Sequence, residues 1–314
     1  MKTSILLGIA ASILAFIMGT GLSDTAASEA SPAPSPEPSQ RMVTEILIHQ
    51  AAETSYDGSI PVSVTISGTQ QDMSLNDYLT GVVLGEMPAS FDLEALKAQA
   101  VAARTYTLKH LMDGKTLSDD SSVCQAYLPV DTASSENLQK VREAVEATDG
   151  QVLTYDGALI TATYFSCSGG QTEDASAVWG GSVPYLVSVD SPGEEFAAVF
   201  ESTVSIPRSD FLSALGISDA AVSAVTYTAG GGVDTITIGG KVFSGTELRN
   251  QFSLRSTIFT LSTGQDTVEF SVRGNGHRVG MSQYGAQAMA EAGSTYEEIL
   301  THYYTGVTIT ELEA

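Results

Sequence analysis

The chain has 314 residues, of which 43% are hydrophobic, so it is long enough for one large domain or two with a substantial core. It carries 37 acidic residues against 14 Lys and Arg, which gives a formal net charge of −23. A charge this negative argues against binding to nucleic acid or to an anionic membrane surface, because both need clustered cations. Two cysteines and four histidines leave little room for a zinc-finger array or an iron–sulfur protein.

The N-terminal segment is typical of an exported protein. An apolar run, Ile5–Leu22, follows a single cation at Lys2, and we place a cleaved signal peptide or an uncleaved signal-anchor helix within residues 1–24. Prolines alternate with other residues between Ser31 and Ser39. Neither a helix nor a sheet ladder accepts that pattern, so we predict an extended linker over residues 25–55. The protein is therefore expected to be exported, and either anchored in the membrane or secreted.

The folded part is predicted over residues 56–310, in the α+β class, with a helical core, β-hairpins and a β-rich insertion. Apolar residues alternate with small or polar ones from Ile60 to Ile66, which is typical of a strand. A helix is predicted from Leu75 to Leu84, with Ser74 as its cap and Gly85 as its end. A second helix runs from Asp92 to about Leu111, with acidic residues at its positive end.

The rest of the chain predicts shorter elements. Residues 196–270, where short strands alternate with Gly-rich turns, are expected to form the β-rich insertion. The turn dipeptide Asp156-Gly157 favours a hairpin of the type I′ class. The further predicted elements are an amphipathic helix at Asn137–Ala147, hairpin strands at Gln151–Tyr155 and Ala158–Phe165, a brief helix at Asp210–Leu215, a helix from near Ser282 to Gly293, and a last helix capped by Ser294 that stops at Gly306.

The second predicted helix is apolar on nearly every face, which indicates a buried helix. Its polar members include Lys97, Gln99 and Arg104. Buried cations must be paired, because a lone desolvated charge is very costly. Lys97 and Arg104 therefore either orient a carboxylate or substrate at a site, or form structural ion pairs inside the core.

Glu86 lies beside Gly85, Met87 and Pro88 in what the pattern predicts to be a short apolar connector. Desolvation raises the pKa of a carboxyl group, and a general acid that works near neutral pH needs such a pKa. The alternative is an ordinary solvated glutamate.

Two Gly-rich segments are candidates for a cleft. One is Phe165–Asp174, which is followed by the single tryptophan, Trp179, a side chain suited to a sugar platform. The other is Arg273–Gln287, in which His277 is either catalytic or a hydrogen-bonded structural residue. The sequence leaves open whether the only two cysteines, Cys124 and Cys167, form a disulfide, as an exported chain allows, or remain free thiols; a nucleophilic pair of Cys167 with His277 is the chemical alternative.

Several long motifs occur in an order that resembles the stage II sporulation protein D family, over about residues 60–309. These motifs are Tyr78–Phe91, continued by Glu94–Tyr106; the Ser166–Asp174 segment with Trp179-Gly180-Gly181; Leu254–Thr257; and the closing block from His277 to Gly306. The resemblance implies a lytic transglycosylase that cleaves the bond between N-acetylmuramic acid and N-acetylglucosamine in peptidoglycan strands freed of stem peptides. It implies action in sporulation, beside a partner amidase and facing the cell wall.

The family's catalytic glutamate falls on Glu86. By the same resemblance, the candidates for substrate binding are Lys97, Gln99, Arg104, Ser166, Ser168, Gln171, His277 and Gln283. No cofactor and no metal ligand is predicted, because the loop before Cys124 lacks the further Cys and His that some relatives use for zinc. In the Gly-rich loop Arg278 replaces a family glycine, and a long side chain there is expected to narrow the cleft or contact substrate. The alternative function is a non-catalytic, glycan-binding enhancer of a cell-wall amidase.

Overall fold

The structure is a computed structural model that describes residues 55–312, and it confirms the predicted α+β class. The predicted leader and nearly all of the predicted linker lie outside the described residues. Within residues 55–312, no helix is both long and apolar enough to cross a membrane.

The helices are α1 (Tyr56–Ser59), α2 (Leu75–Glu86), α3 (Leu93–Met112), α4 (Ser135–Ala147), α5 (Ala175–Trp179), α6 (Arg208–Leu215), α7 (Gly245–Gln251), α8 (Gln283–Glu291) and α9 (Tyr296–Tyr303). The strands are β1 (Pro61–Ile66), β2 (Thr69–Ser74), β3 (Leu117–Ser118), β4 (Gln151–Tyr155), β5 (Ala158–Leu159), β6 (Tyr164–Phe165), β7 (Glu201–Pro207), β8 (Val222–Tyr227), β9 (Val233–Ile238), β10 (Lys241–Ser244), β11 (Ile258–Thr263), β12 (Thr267–Arg273), β13 (Met281–Ser282) and β14 (Thr308–Glu311).

The helical core is built around α3, which packs against α2, α4, α8, α9 and β4. Its alanines are fully buried, because small side chains let the neighbouring helices approach on several sides. The side chain of Asp92 caps the first turn of α3, as its position in the sequence predicts. This helix is the frame on which the other elements of the helical core are placed.

Helix α2 begins where the sequence predicts, with the Ser74 hydroxyl accepting the Asp77 N–H. Its predicted end is wrong, because the helix continues through Gly85 and includes Glu86. Gly85 is there for a different reason: a Cβ atom on it would lie 3.0 Å from the backbone of Ala126. At Gly81 a Cβ would overlap the ring of Tyr127. The two glycines therefore let the segment 124–128 lie directly on α2.

The predicted hairpin forms only in part. Asp156 and Gly157 both have positive φ angles, and β4 and β5 pair antiparallel across them. The second strand is two residues long, and Tyr164–Phe165 separates from it as β6, which pairs in parallel with β13. This pairing brings the start of the Ser166–Asp174 segment against the Gly-rich block at 273–287.

A second hydrophobic cluster lies between residues 201 and 273, in the region predicted as the β-rich insertion. It contains two three-stranded antiparallel sheets, with strand orders β10-β9-β8 and β11-β12-β7. The rings of Phe252 and Phe259 pack against Phe270 there, with centroids 5.4 and 5.3 Å from the centroid of Phe270. The predicted short helix begins at Arg208, two residues earlier than expected.

The two C-terminal helices are present, and β14 adds to the sheet of β4 and β5. The cap of α9 is one residue later than predicted. Thr295, and not Ser294, forms a reciprocal capping box with Glu298. Glu297 therefore lies in the first turn without the capping role that the spacing from Ser294 suggested.

Candidate active site

The centre of the site is Glu86, the last residue of α2. The segment 124–128, which Gly81 and Gly85 allow to lie on α2, brings the backbone of Ala126 to this carboxyl group. The N–H of Ala126 donates to Glu86 Oε1 at 2.6 Å. Only 8% of Glu86 is exposed, so the side chain is neither in bulk solvent nor sealed off. The fold therefore fixes one oxygen of the carboxyl group and leaves the other to its surroundings.

Burial raises the pKa of Glu86 to about 7. The hydrogen bonds from Ala126 and from the Gln283 side chain favour the charged form and limit the rise. Among the described residues no lysine or arginine forms an ion pair with Glu86. The carboxyl group is thus close to half protonated at neutral pH, which is the state that a general acid requires.

Two glutamines stand next to Glu86 and come from helices far apart in the chain. Gln283, at the first position of α8, donates through Nε2 to Glu86 Oε2 at 3.3 Å and to Gln99 Oε1 at 3.5 Å. The amide nitrogen of Gln99 has no hydrogen-bond partner although it is buried, and neither has the hydroxyl of Ser166. Such groups are rare in folded proteins, and donors left without a partner at a site are available to a ligand.

Glu86 lines a narrow cavity of about 30 Å³, which has room for a single water-sized group. The other residues lining it are Tyr106, Cys124, Gln125, Thr163, Tyr164 and His277. Apart from His277, none of them was among the predicted site residues. Tyr106 was recoverable from the sequence, because it lies seven positions after Gln99 and seven residues return to about the same face of a helix.

His277 places a neutral imidazole beside Glu86. Its ring lies between Phe165 and Trp179, with ring centroids 5.6 and 5.5 Å away. Burial, and then the charge of Arg249, lower the pKa of His277 to about 4. Nδ1 accepts the N–H of Val279 at 3.1 Å, which leaves the proton of the neutral ring on Nε2. The imidazole is therefore a hydrogen-bond donor at neutral pH and not a cation.

The structure does not bring Lys97 and Arg104 to Glu86. Lys97 pairs with Glu94 at 2.7 Å and faces Tyr296. Arg104 is fully buried and binds Asp57 of α1, with Nε 2.9 Å from Oδ1. Both cations are turned roughly 140–160° around α3 from Gln99, so the helix directs them away from the site. Of the two alternatives for these cations, the structure shows the ion pairs.

Two further predicted residues, Ser168 and Gln171, lie in the loop next to the site. Ser168 is fully buried, and its hydroxyl donates to Glu194 Oε2 at 2.8 Å. Gln171 is half-buried and its carbonyl accepts the Arg278 guanidinium at 2.8 Å. The Ser168 side chain is therefore already satisfied within the protein, whereas the Gln171 side chain forms no hydrogen bond among the described residues.

Arg278 does not narrow the cleft. Its side chain is fully buried and donates to the carbonyls of Ser168, at 2.9 Å, and of Gly230 in the β-rich region. Glu173 completes the cluster, 3.5 Å from the guanidinium. The backbone of Arg278 has φ 67°, a left-handed conformation that suits glycine. The arginine therefore joins the β-rich region to the helical core at the back of the loop.

Of the alternatives that the sequence left open for the cysteines, the structure shows free thiols and neither a disulfide nor a nucleophilic pair. Cys124 and Cys167 are both buried and free. Cys167 donates to Glu194 at 3.2 Å, and burial beside that carboxylate raises the pKa of the Cys167 thiol far above its ordinary range. A thiol in this state is not a nucleophile. Within the described range, no group of three or more His, Cys, Asp and Glu residues is arranged to hold a metal ion.

A larger surface depression, of about 460 Å³, lies on the β-rich region between α6 and α7. It contains none of the predicted site residues and no part of the Glu86 cavity. Size alone therefore does not identify the site; the buried carboxyl group with its converging polar groups does.

Comparison with known proteins supports the family resemblance that the motifs around Glu86 indicate. The family model described as stage II sporulation protein matches residues 66–155, which include α2, α3 and Glu86. The stage II sporulation protein D of Bacillus subtilis strain 168 is 38% identical over 274 residues, covering 82% of this chain and 80% of its own. The chain belongs to the stage II sporulation protein D family.

Two other known proteins are also similar to this chain. The stage II sporulation protein D of Bacillus amyloliquefaciens is 37% identical, with the same 82% and 80% coverage. A protein of Bacillus subtilis strain 168 named amidase enhancer is 35% identical over 290 residues. The matched region covers 74% of this chain and 40% of that longer protein. Family members thus include sporulation proteins and one whose name denotes an effect on an amidase.

Proposed function

We propose that this protein is a lytic transglycosylase, which cleaves the bond between N-acetylmuramic acid and N-acetylglucosamine in peptidoglycan strands freed of stem peptides. The observation that carries the proposal is the buried carboxyl group of Glu86 in this cavity, whose pKa is raised to about 7. Ordinary glycosidases use two carboxyl groups across the scissile bond. No other acidic residue lines the Glu86 cavity in the described part of the chain. One carboxyl group suffices when the substrate supplies its own nucleophile.

The proposed reaction needs a proton that moves from Glu86 to the substrate and back. Oε1 holds a short hydrogen bond from Ala126, whereas the hydrogen bond from Gln283 to Oε2 is longer, so we assign the proton to Oε2. Glu86 gives this proton to the glycosidic oxygen as the bond to the anomeric carbon breaks. The muramic acid 6-hydroxyl then attacks that carbon and returns its own proton to Glu86. The products are a 1,6-anhydro sugar and a free 4-hydroxyl, and no water is consumed.

The carboxylate formed midway is stabilised by hydrogen bonds and not by a cation. Ala126 N–H and Gln283 Nε2 both donate to it, while Lys97 and Arg104 are engaged elsewhere. Weak stabilisation suits a group that must take its proton back within the same cycle. The unpartnered Gln99 amide and the Ser166 hydroxyl are the donors that we assign to substrate binding.

The test is incubation of the purified protein with stem-free glycan strands, followed by mass analysis of the fragments. The proposal predicts anhydro ends, lighter than ordinary reducing ends by one water, and loss of products in Glu86→Gln. Ordinary reducing ends would reject the mechanism. Full activity of the Glu86→Gln variant would reject the assignment of Glu86.

A second candidate function, the glycan-binding enhancer of a cell-wall amidase, is favoured by the similarity to the amidase enhancer of Bacillus subtilis. The two candidates separate in one experiment. If the protein is an enhancer, its Glu86→Gln variant stimulates the amidase as well as the unsubstituted protein does. If it is a transglycosylase that works beside the amidase, the Glu86→Gln variant no longer forms glycan fragments. We also propose export to the cell-wall side of the membrane, on the strength of the apolar run at 5–22, and action in the engulfment stage of sporulation.

A further inference from the structure

Two arginines at the edge of the β-rich region have no partner within the described residues. Arg249 lies on α7, and Arg255 lies just after it in the chain. Neither side chain forms a hydrogen bond or an ion pair within residues 55–312, in contrast to Lys97, Arg104, Arg208 and Arg278, which all pair with acids. In a chain with a net charge of −23, two unpaired arginines six residues apart are a conspicuous local excess of positive charge.

The backbone holds this segment against the loop that carries His277. The carbonyl of Arg255 accepts the N–H of Gly276 at 2.9 Å, directly before His277. The carbonyl of Arg249 accepts the N–H of Leu254 at 2.9 Å, which folds α7 back onto the same segment. The positions of Arg249 and Arg255 are therefore fixed relative to the Glu86 cavity through His277, which lines it.

The side chain of Arg249 lies within electrostatic reach of His277. It is half-buried, and its guanidinium is close enough to His277 for the charge to contribute to the low pKa of that imidazole. Arg255, six residues later in the chain, is exposed. Burial lowers the pKa of Arg249, although an arginine side chain remains protonated near neutral pH. A half-buried guanidinium with no acid to pair with fits an anionic group of a ligand, and its planar fork matches a carboxylate best.

The strands of the proposed substrate carry such a group. Each N-acetylmuramic acid has a lactyl ether that ends in a carboxyl group. In intact peptidoglycan this carboxyl group is held in an amide bond to the stem peptide, whereas removal of the stem peptide leaves a free carboxylate on every second sugar. The group that Arg249 suits is thus present on stem-free strands and absent from strands that still carry stems.

We propose that Arg249, together with the exposed Arg255, binds the free lactyl carboxylate of N-acetylmuramic acid and so makes the site select strands without stem peptides. The inference rests on the proposed function and assigns its substrate selectivity to one side chain. Arg249 is a specificity residue in this scheme, while Glu86 carries the proton.

Binding is measured with the Glu86→Gln variant, so that strands are not consumed. Two ligands are compared: stem-free strands, and the same strands with their lactyl carboxyl groups converted to methylamides. We expect the methylamide strands to bind about tenfold more weakly, the size of one charge-assisted hydrogen bond. Adding Arg249→Gln is expected to reduce binding of the free-acid strands to the level of the methylamide strands and to leave the latter unchanged.

The matched control is Arg142→Gln in the same background, because Arg142 is an exposed arginine of α4 that also has no partner among the described residues. It is expected to keep the full preference for free carboxylates. Arg249→Lys, which keeps the charge, is expected to retain part of the preference for free carboxylates. This result would show that the loss in Arg249→Gln does not come from misfolding. Equal binding of both ligands by the Glu86→Gln protein, or an unchanged preference in Arg249→Gln, would overturn this inference alone. Failure to bind either ligand would overturn the proposed function and this inference together.

Discussion

The buried carboxyl group of Glu86 has a cost in stability that depends on pH. Its pKa rises from the ordinary 4.5 to about 7 in the folded protein, so the folded state binds this proton more tightly than the unfolded chain does. Between pH 4.5 and 7 the folded state therefore holds more protons, and the free energy of unfolding falls as the pH increases. Each pKa unit corresponds to 1.36 kcal/mol, so the total loss is about 3 kcal/mol.

Glu86→Gln removes this titration and nothing else that titrates at the site. We expect the free energy of unfolding of the variant, relative to that of the unsubstituted protein, to increase by about 3 kcal/mol between pH 4.5 and pH 8. The pH-independent effects of the amide cancel in this difference. Among them is the contact of the new amide with the Gln283 side chain, which stands 3.3 Å from Oε2.

Urea unfolding of both proteins at pH 4.5, 6 and 8, followed by circular dichroism, measures the effect. Other carboxyl groups titrate equally in the two proteins, so only Glu86 contributes to the difference between their curves. Stabilities that change in parallel from pH 4.5 to 8 would refute the raised pKa and, with it, the argument that Glu86 is close to half protonated at neutral pH.

Four other results are expected. In kinetics on stem-free strands, kcat/KM should fall tenfold per pH unit above about pH 7, as Glu86 loses its proton; a rate that stays constant to pH 9 would contradict this. Asp57→Asn should lower the free energy of unfolding by about 3–5 kcal/mol, because it leaves the buried Arg104 without its partner, and should keep the pH profile of the remaining activity. Arg278→Gly should gain about 1 kcal/mol from the left-handed backbone but lose more through the buried Glu173, so a net gain in urea resistance would speak against the described cluster. Thiol alkylation of the native protein should leave activity intact, since both cysteines are buried and Cys167 is kept protonated; rapid inactivation would reopen thiol catalysis.

The parts of the fold that the sequence predicted well depend on neighbouring residues. The Ser74 cap and the Asp156-Gly157 turn are set by groups within three residues of each other, and both are present. The predicted end of α2 was wrong because glycine occurs both at the ends of helices and where another backbone segment packs closely on a helix. Nothing near Gly85 in the sequence shows that Ala126 packs on it. The pairing of β6 with β13 was missed for the same reason, as it joins residues more than a hundred positions apart.

The predictions about the site succeeded and failed for the same reason. Glu86 was predicted from its apolar neighbours and from the family motif, but its hydrogen bond from Ala126 comes from forty positions away and has no local signal. The cations of α3 were assigned by residue type, whereas the angle around the helix separates them from Gln99 and selects Tyr106. Arg278 was expected to narrow the cleft or contact substrate because it replaces a family glycine, yet its side chain is fully buried and donates to the carbonyls of Ser168 and Gly230.

The most direct test of the central claim is cleavage of stem-free strands in water enriched in ¹⁸O. If Glu86 passes its proton to the leaving sugar and recovers one from the muramic acid 6-hydroxyl, the new anhydro ends contain no ¹⁸O. One labelled oxygen at each new reducing end would show that water is the nucleophile, and the protein would then be a hydrolase that needs a second catalytic group.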